Sequence, residues 1–244
     1  MEIVQQSKHI VRFLSKREVA ENTFEVRFSK PENFEYRAGQ FLHICLDVDA
    51  DDRKANVRSM SLSSAPYETH LMVTMRMTGS AWKQKFLAMN AGDTFEIVGP
   101  RGRLFLHNEE RERITVFIAG GIGVAPFRSM IFQEQHENSS RSLFLFHFNR
   151  RKRDITYFQE LNDQQNERFH VINILTNSGE EPWVGEVGYC REELLQRYVP
   201  DYKTAIYYII GVPEMVLAVQ ETLTLIGIAK EDIRGELFTG YSKK

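Results

Sequence analysis

Short β-rich runs punctuated by turns fill the chain up to about residue 108, and beyond that point the apolar runs become continuous. HIVRFLSKREV and NTFEVRFSKP read as two strands joined near Glu21–Asn22, and QFLHICLDV, RSMSLSS and HLMVTMRM as three more. WKQKFLAM reads as a short helix. The turn NAGD, the strand TFEIVGP and a turn at GPRG follow. Six short strands with a single helix predict a small antiparallel barrel. The charged stretch HNEERER (107–113) reads as a linker. After it, ITVFIAG, SLFLFHF, RFHVINILT and AIYYIIG are strands without alternation, as expected where both faces of a sheet are covered. Between and after them, PFRSMIFQEQHE, DITYFQELNDQQ, REELLQRYV and EMVLAVQETLTLIG read as helices. That alternation predicts a parallel sheet with helices on both faces. The expected architecture is therefore a barrel domain over 1–108 and an α/β domain over 109–244.

Composition changes this picture little. The net charge of −2 and pI near 6.4 give no reason to expect a nucleic-acid partner. Cys45 and Cys190 lie far apart and outside any CxxC run, so this chain does not supply the four thiolates of a common iron–sulfur cluster. A low cysteine count suits a reducing compartment. MEIVQQSKHI lacks the apolar run of a secretory signal. No stretch approaches the ~20 apolar residues of a membrane helix. A cytoplasmic protein without a membrane span is the expectation. His43, His70, His147 and His170 sit in strand-like runs without metal-ligand spacing, so packing roles are expected and no metal site.

Three segments carry candidate chemistry. In ITVFIAGGIGVAP (114–126), a buried strand leads through Gly120, Gly121 and Gly123 into Val124 and Pro126, with the proline suited to a first helical position. Such a turn lets a pyrophosphate approach backbone N–H groups at a helix start. Pro126 stands where the third glycine of GxGxxG would fall, so this is not the Rossmann fingerprint. In RSMSLSSAP (58–66), Arg58 offers a forked donor to a phosphate beside the hydroxyls of Ser59, Ser61 and Ser64. In TGSAWKQKF (78–86), Gly79 and Ser80 precede a helix that also carries Lys83. Each segment taken singly is also an ordinary turn, strand or cap.

Read in order, they resemble the ferredoxin–NADP reductase family, whose pattern runs Arg-x-Tyr-Ser, a glycine/serine helix start, Gly-Asp, Gly-Pro-x-Gly, then Gly-Gly-x-Gly-x-x-Pro. Here these are Arg58–Ser61, Gly79–Lys83, Gly92-Asp93, Gly99–Gly102 and Gly120–Pro126. Ala38-Gly39-Gln40-Phe41 matches the family's AGQF. Gly211-Val212-Pro213-Glu214-Met215 matches its Cys-Gly-Pro-x-x-Met region loosely, and Glu236–Tyr241 looks like its closing Glu-x-Phe-x-Gly-Tyr. The resemblance covers nearly the whole chain. It implies an FAD-dependent oxidoreductase passing electrons between NADPH or NADH and a one-electron partner such as ferredoxin or flavodoxin. Arg58, Ser80 and Lys83 would hold the FAD pyrophosphate, and Met60 and Ser61 would lie against the isoalloxazine. Gly120, Gly121, Gly123, Val124, Pro126, Gly211, Glu214 and Met215 would hold the nicotinamide dinucleotide. Ser61 and Glu236 would sit at the hydride path, and Phe238 and Tyr241 would close over the flavin.

Two departures stand out. Met60 replaces the aromatic of Arg-x-Tyr-Ser, and Ile210 and Val212 replace the cysteine and proline of Cys-Gly-Pro. The run Asn149-Arg150-Arg151-Lys152-Arg153 follows the second buried strand, where this architecture reads the adenosine ribose. With no acid directly after the strand, Arg150, Arg153 or Tyr157 are candidates for a 2′-phosphate, favouring NADP. Three other readings stay open: an NADH-dependent reductase component of a multi-subunit oxygenase or electron-transfer complex, a redox-sensing module that binds flavin or nucleotide without turnover, and FMN in place of FAD.

Overall fold

The computed structural model describes residues 7–48, 56–177, 179 and 182–238. β1 (Ser7–Ala20) is long enough to serve two strand pairs. Its first half lies antiparallel to β6 (Thr94–Arg101). Its second half pairs with β2 (Thr23–Ser29) through a register shift between Phe13 and Ser15. Such a shift bends a strand, which is what curling a sheet requires. With β3 (Phe41–Cys45), β4 (Val57–Ser61) and β5 (His70–Arg76), the order is β4-β3-β6-β1-β2-β5. An antiparallel bridge from Leu62 to Val73 joins the two edges, closing the barrel. α1 (Ala81–Ala88) packs into the barrel core through fully buried Trp82 and Phe86. Phe86 meets Phe13 and Phe95 edge-on.

The second sheet is parallel throughout, in the order β10-β9-β8-β7-β11-β12. Its strands are β7 (Thr115–Gly120), β8 (Leu143–Asn149), β9 (Phe169–Leu175), β10 (Glu186–Val187), β11 (Ile206–Gly211) and β12 (Ile233–Leu237). Alternate residues of β7 divide between its two faces. Val116 and Ile118 pack with Leu194 of α4 (Glu192–Tyr198) and Val216 of α5 (Pro213–Leu225). Phe117 and Ala119 pack with Phe127 of α2 (Val124–His136) and Leu161 of α3 (Phe158–Asp163). The architecture is the expected barrel followed by a parallel α/β sheet.

Three local expectations need correction. β10 and β12 were not anticipated: β10 is two residues long, and IRGEL of β12 has no continuous apolar run. The helix expected over 154–165 is only Phe158–Asp163, because Tyr157 takes φ 60° and ψ 29°, a left-handed conformation that stops a helix from starting earlier.

The two halves share contacts. Val19, Ala38, Leu104 and Leu106 join the apolar cluster under α2. Arg128 of α2, 3% exposed, donates to the Ser63 carbonyl at 2.7 Å, to Glu68 at 2.9 Å and to Glu160 at 2.5 Å. Among the described residues no helix is long and apolar enough to cross a membrane.

Candidate functional site

The chain leaves β7 for β8 on one side of the sheet, while β11 lies on the other, so the strand order reverses between β7 and β11. Ligands of open α/β sheets bind in the crevice at such a reversal. Here Gly120 and Gly211 face one another, and the Met215 thioether fills the space a side chain on Gly120 would need. A Cβ on Gly123 would strike the Ile210 carbonyl, so that glycine lets helix and strand close together. Gly121 is different. Its φ is +52°, and the nearest atoms a Cβ there would meet are the Arg76 guanidinium at 3.6 Å and Asn149 Oδ1 at 3.9 Å. Gly121 is therefore the position of the turn that opens onto polar groups. Val124 is buried at the start of α2. Pro126 is the third residue of that helix rather than its first, still within the turn whose N–H groups lack intrahelical partners.

Two side chains of β8 support this turn. His147 is fully buried, and its Nε2 lies 2.9 Å from the Gly121 carbonyl. Burial lowers its pKa to about 4. The ring is therefore neutral at pH 7, and Nε2–H donates to the carbonyl. Asn149 is buried with Oδ1 unpartnered among the described residues, beside Gly121. A buried acceptor left unsatisfied calls for an explanation, and a hydroxyl or amide of a ligand supplies one.

The barrel contributes cations to the same crevice. Lys83 is only 9% exposed, and its ammonium donates to the Arg76 carbonyl at 2.7 Å. Burial first, then the charges of Arg58 and Arg76, lowers its pKa to about 8. α1 begins beside it. The Ser80 hydroxyl makes no capping bond, and Gly79 faces open space. Three cations next to a helix start fit a pyrophosphate. Arg76 links this cluster to Gly121, and it also reaches the Asp154 carbonyl at 3.5 Å. Sequence reasoning missed Arg76 and read His147 only as packing. The available signal was a lone arginine closing an apolar strand.

The remaining expected residues are placed as follows. Ser59 is exposed, its hydroxyl 3.0 Å from His43 Nδ1. Met60 stands opposite Leu42 and, at 8% exposure, packs with the barrel core, while half-buried Ser61 stands opposite Phe41. Ser64 is not presented to the crevice: it is buried, with its oxygens bonded to Met72 N–H, Tyr36 and Ser129. Glu236 is half-buried on β12 opposite Ile210, and burial raises its pKa. Glu214 is exposed in the first turn of α5. Phe238 donates its N–H to the Gly211 carbonyl at 2.8 Å and packs against the α2 cluster. Tyr241 lies outside the described residues.

The basic loop after β8 has partners in the barrel. Arg150 is exposed, but Arg153 pairs with Glu21 of the β1–β2 turn at 3.2 Å. Tyr157 is 3% exposed, with its hydroxyl 2.6 Å from Thr74 Oγ1 and 3.3 Å from Ser63 Oγ. Its hydroxyl joins the two halves of the molecule.

A family profile described as an oxidoreductase NAD-binding domain matches residues 117–221, the segment that carries the glycine turn and β11. Ferredoxin–NADP⁺ reductase from Neisseria gonorrhoeae, solved with FAD and NADP, superposes with a TM-score of 0.78 at 21% identity, over 94% of this chain and 98% of that one. The chain has the ferredoxin–NADP reductase fold. The same ferredoxin reductase fold occurs in the Amycolatopsis cytochrome P450 reductase GcoB, with a TM-score of 0.81 at 21% identity, over 96% of this chain and 71% of that one. Among curated relatives, the glycine betaine monooxygenase reductase subunit of Chromohalobacter salexigens is 26% identical over 243 residues, covering 95% of this chain and 64% of the relative. One component of the Na(+)-translocating NADH-quinone reductase of Psychrobacter arcticus is 31% identical over 169 residues, covering 66% and 40%. The chain thus spans less than two thirds of these relatives.

Proposed function

We propose that the chain is an FAD-dependent reductase that takes reducing equivalents from a reduced nicotinamide dinucleotide and delivers them to a one-electron acceptor. The observation that carries this reading is Arg76, which ends a barrel strand beside Lys83 and stands over Gly121 of the parallel sheet. One crevice thereby joins a phosphate-binding helix start to a dinucleotide turn. In this reading residues 1–108 hold the flavin and residues 109–244 the nicotinamide nucleotide. When bound, FAD supplies the conversion between two-electron and one-electron transfer.

The chain's own residues bind and orient. Arg58, Arg76, Lys83 and the first amides of α1 hold the FAD pyrophosphate. Gly121 lets the dinucleotide approach the backbone, and Asn149 Oδ1 accepts a hydrogen bond from it. Met215 walls the crevice between Gly120 and Gly211. Glu236, with its pKa raised by burial, is placed to hold a proton at the end of β12, and Ser61 orients the flavin from β4.

The curated relatives described above are named as components of a monooxygenase and of a quinone reductase. Their names support a protein partner as acceptor for this chain, as in a reductase component. The test is a visible spectrum of the purified protein followed by anaerobic addition of NADH or NADPH. A yellow protein bleached by either donor is the expected result. A protein that stays colourless after reconstitution with FAD overturns the proposal.

A further inference from the structure

Resting on the reading that the α/β half binds a nicotinamide dinucleotide, we infer that Glu21 directs this chain toward NADH by holding Arg151 and Arg153 on the barrel. The loop that follows β8 lies at the carboxyl end of a parallel strand, where the adenosine ribose is read in this architecture. Its composition alone suggests a 2′-phosphate site, with four cations in a row at positions 150–153. The geometry assigns two of them elsewhere.

Glu21 Oε2 lies 3.2 Å from Arg153 Nε and 3.3 Å from Arg151 Nη2. The Glu21 N–H donates to the Arg153 carbonyl at 2.9 Å, so the loop backbone is anchored to the hairpin along with the side chains. Arg151 also donates to both carboxylate oxygens of Asp154, at 3.2 and 3.3 Å. Tyr157, another of the three expected phosphate donors, is turned inward onto Thr74 and Ser63. Arg150 and Lys152 stay exposed, two cations on long flexible stems. A phosphate dianion is bound best by forked donors fixed in place. Here two of the three forks are turned onto a carboxylate of the other half of the chain. For NADPH to recruit them it must displace Glu21. NADH, with a 2′-hydroxyl, has no such requirement.

Half-exposed ion pairs are individually weak, so the bias is a matter of several-fold. The test uses the full-length, FAD-loaded protein and reads binding rather than turnover: dissociation constants of NAD⁺ and NADP⁺ by titration calorimetry. The wild type is expected to bind NAD⁺ more tightly than NADP⁺. Glu21→Gln is expected to tighten NADP⁺ binding by about threefold to tenfold, leaving NAD⁺ unchanged. Adding Arg153→Ala to Glu21→Gln should remove the gain. A wild type that prefers NADP⁺, or a Glu21→Gln variant with an unaltered NAD⁺/NADP⁺ ratio, overturns the inference alone. Binding of neither nucleotide by any variant overturns the dinucleotide reading as well.

Discussion

The Arg76 guanidinium stands 3.6 Å from the point where a Cβ on Gly121 would lie, so a barrel strand ends directly over the glycine turn of the parallel sheet. The three glycines of that turn therefore answer to different constraints, and substitution separates them. Gly121→Ala puts a methyl group at ordinary contact distance but at φ +52°, a strain of about 1–2 kcal/mol for a non-glycine residue. The variant should fold and bind nicotinamide dinucleotides about tenfold more weakly, because the methyl occupies the approach to the backbone. Gly123→Ala instead drives a methyl into the Ile210 carbonyl. It should lose about 1–3 kcal/mol of stability, the usual scale of overpacking. Thermal melts and nucleotide titrations on both variants check the contrast, and equal effects on both readouts would refute it.

If Lys83 holds the flavin pyrophosphate as proposed, it gives a pH signature to flavin binding. Its pKa is lowered to about 8 by burial and by Arg58 and Arg76. A bound pyrophosphate favours the charged ammonium and so raises that pKa. FAD binding then takes up a proton above pH 8, and affinity should fall as pH rises through this range. At most one proton is involved, so the slope stays within about tenfold per pH unit. Lys83→Met should bind FAD more weakly at pH 7 and show a flatter profile from pH 7 to 10. Flavin fluorescence on dilution measures both. A wild-type profile flat over this range would remove Lys83 from the phosphate site.

What could be read from the sequence was local. The turn at Gly120–Gly123, the start of α1 and the buried strands each announce themselves within a dozen or so residues, since glycine placement and apolar continuity are properties of neighbours. Arg76 and Glu21 could not be found that way. Their partners, Gly121 and Arg153, belong to the other half of the chain, and no local pattern marks the pairing. β12 was hidden because IRGEL carries Gly235 and Glu236, and its register comes from β11 alongside. The buried partners of Ser64 and Tyr157 were hidden for a related reason. A hydroxyl has the same sequence signature whether it faces a ligand or a buried partner.

Tyr157→Phe tests that last distinction. The hydroxyl is buried between Thr74 and Ser63, so its removal deletes hydrogen bonds across the two halves. A loss of about 1–2 kcal/mol is expected. For a chain of this size that lowers Tm by roughly 2–8 °C. Affinity for NADP⁺ relative to NAD⁺ should not change. A selective loss of NADP⁺ binding with unaltered Tm would return Tyr157 to the nucleotide site.

His147 makes the glycine turn acid-sensitive. Burial lowers its pKa from the ordinary 6.5 to about 4, because a charged imidazolium has no water to solvate it beneath the turn. Between these values the unfolded chain binds the proton and the folded chain does not. Stability therefore falls as pH drops from 6.5 toward 4, by no more than about 1.4 kcal/mol per pH unit from one proton. Other groups titrate in the same range, so the informative quantity is the difference from His147→Gln. That variant keeps an amide donor for the Gly121 carbonyl but cannot take up the proton. Tm measured from pH 7 to 4 should fall more steeply in the wild type than in His147→Gln. Parallel curves would mean that the imidazole is protonated without cost and that the turn opens to water well before the fold is lost.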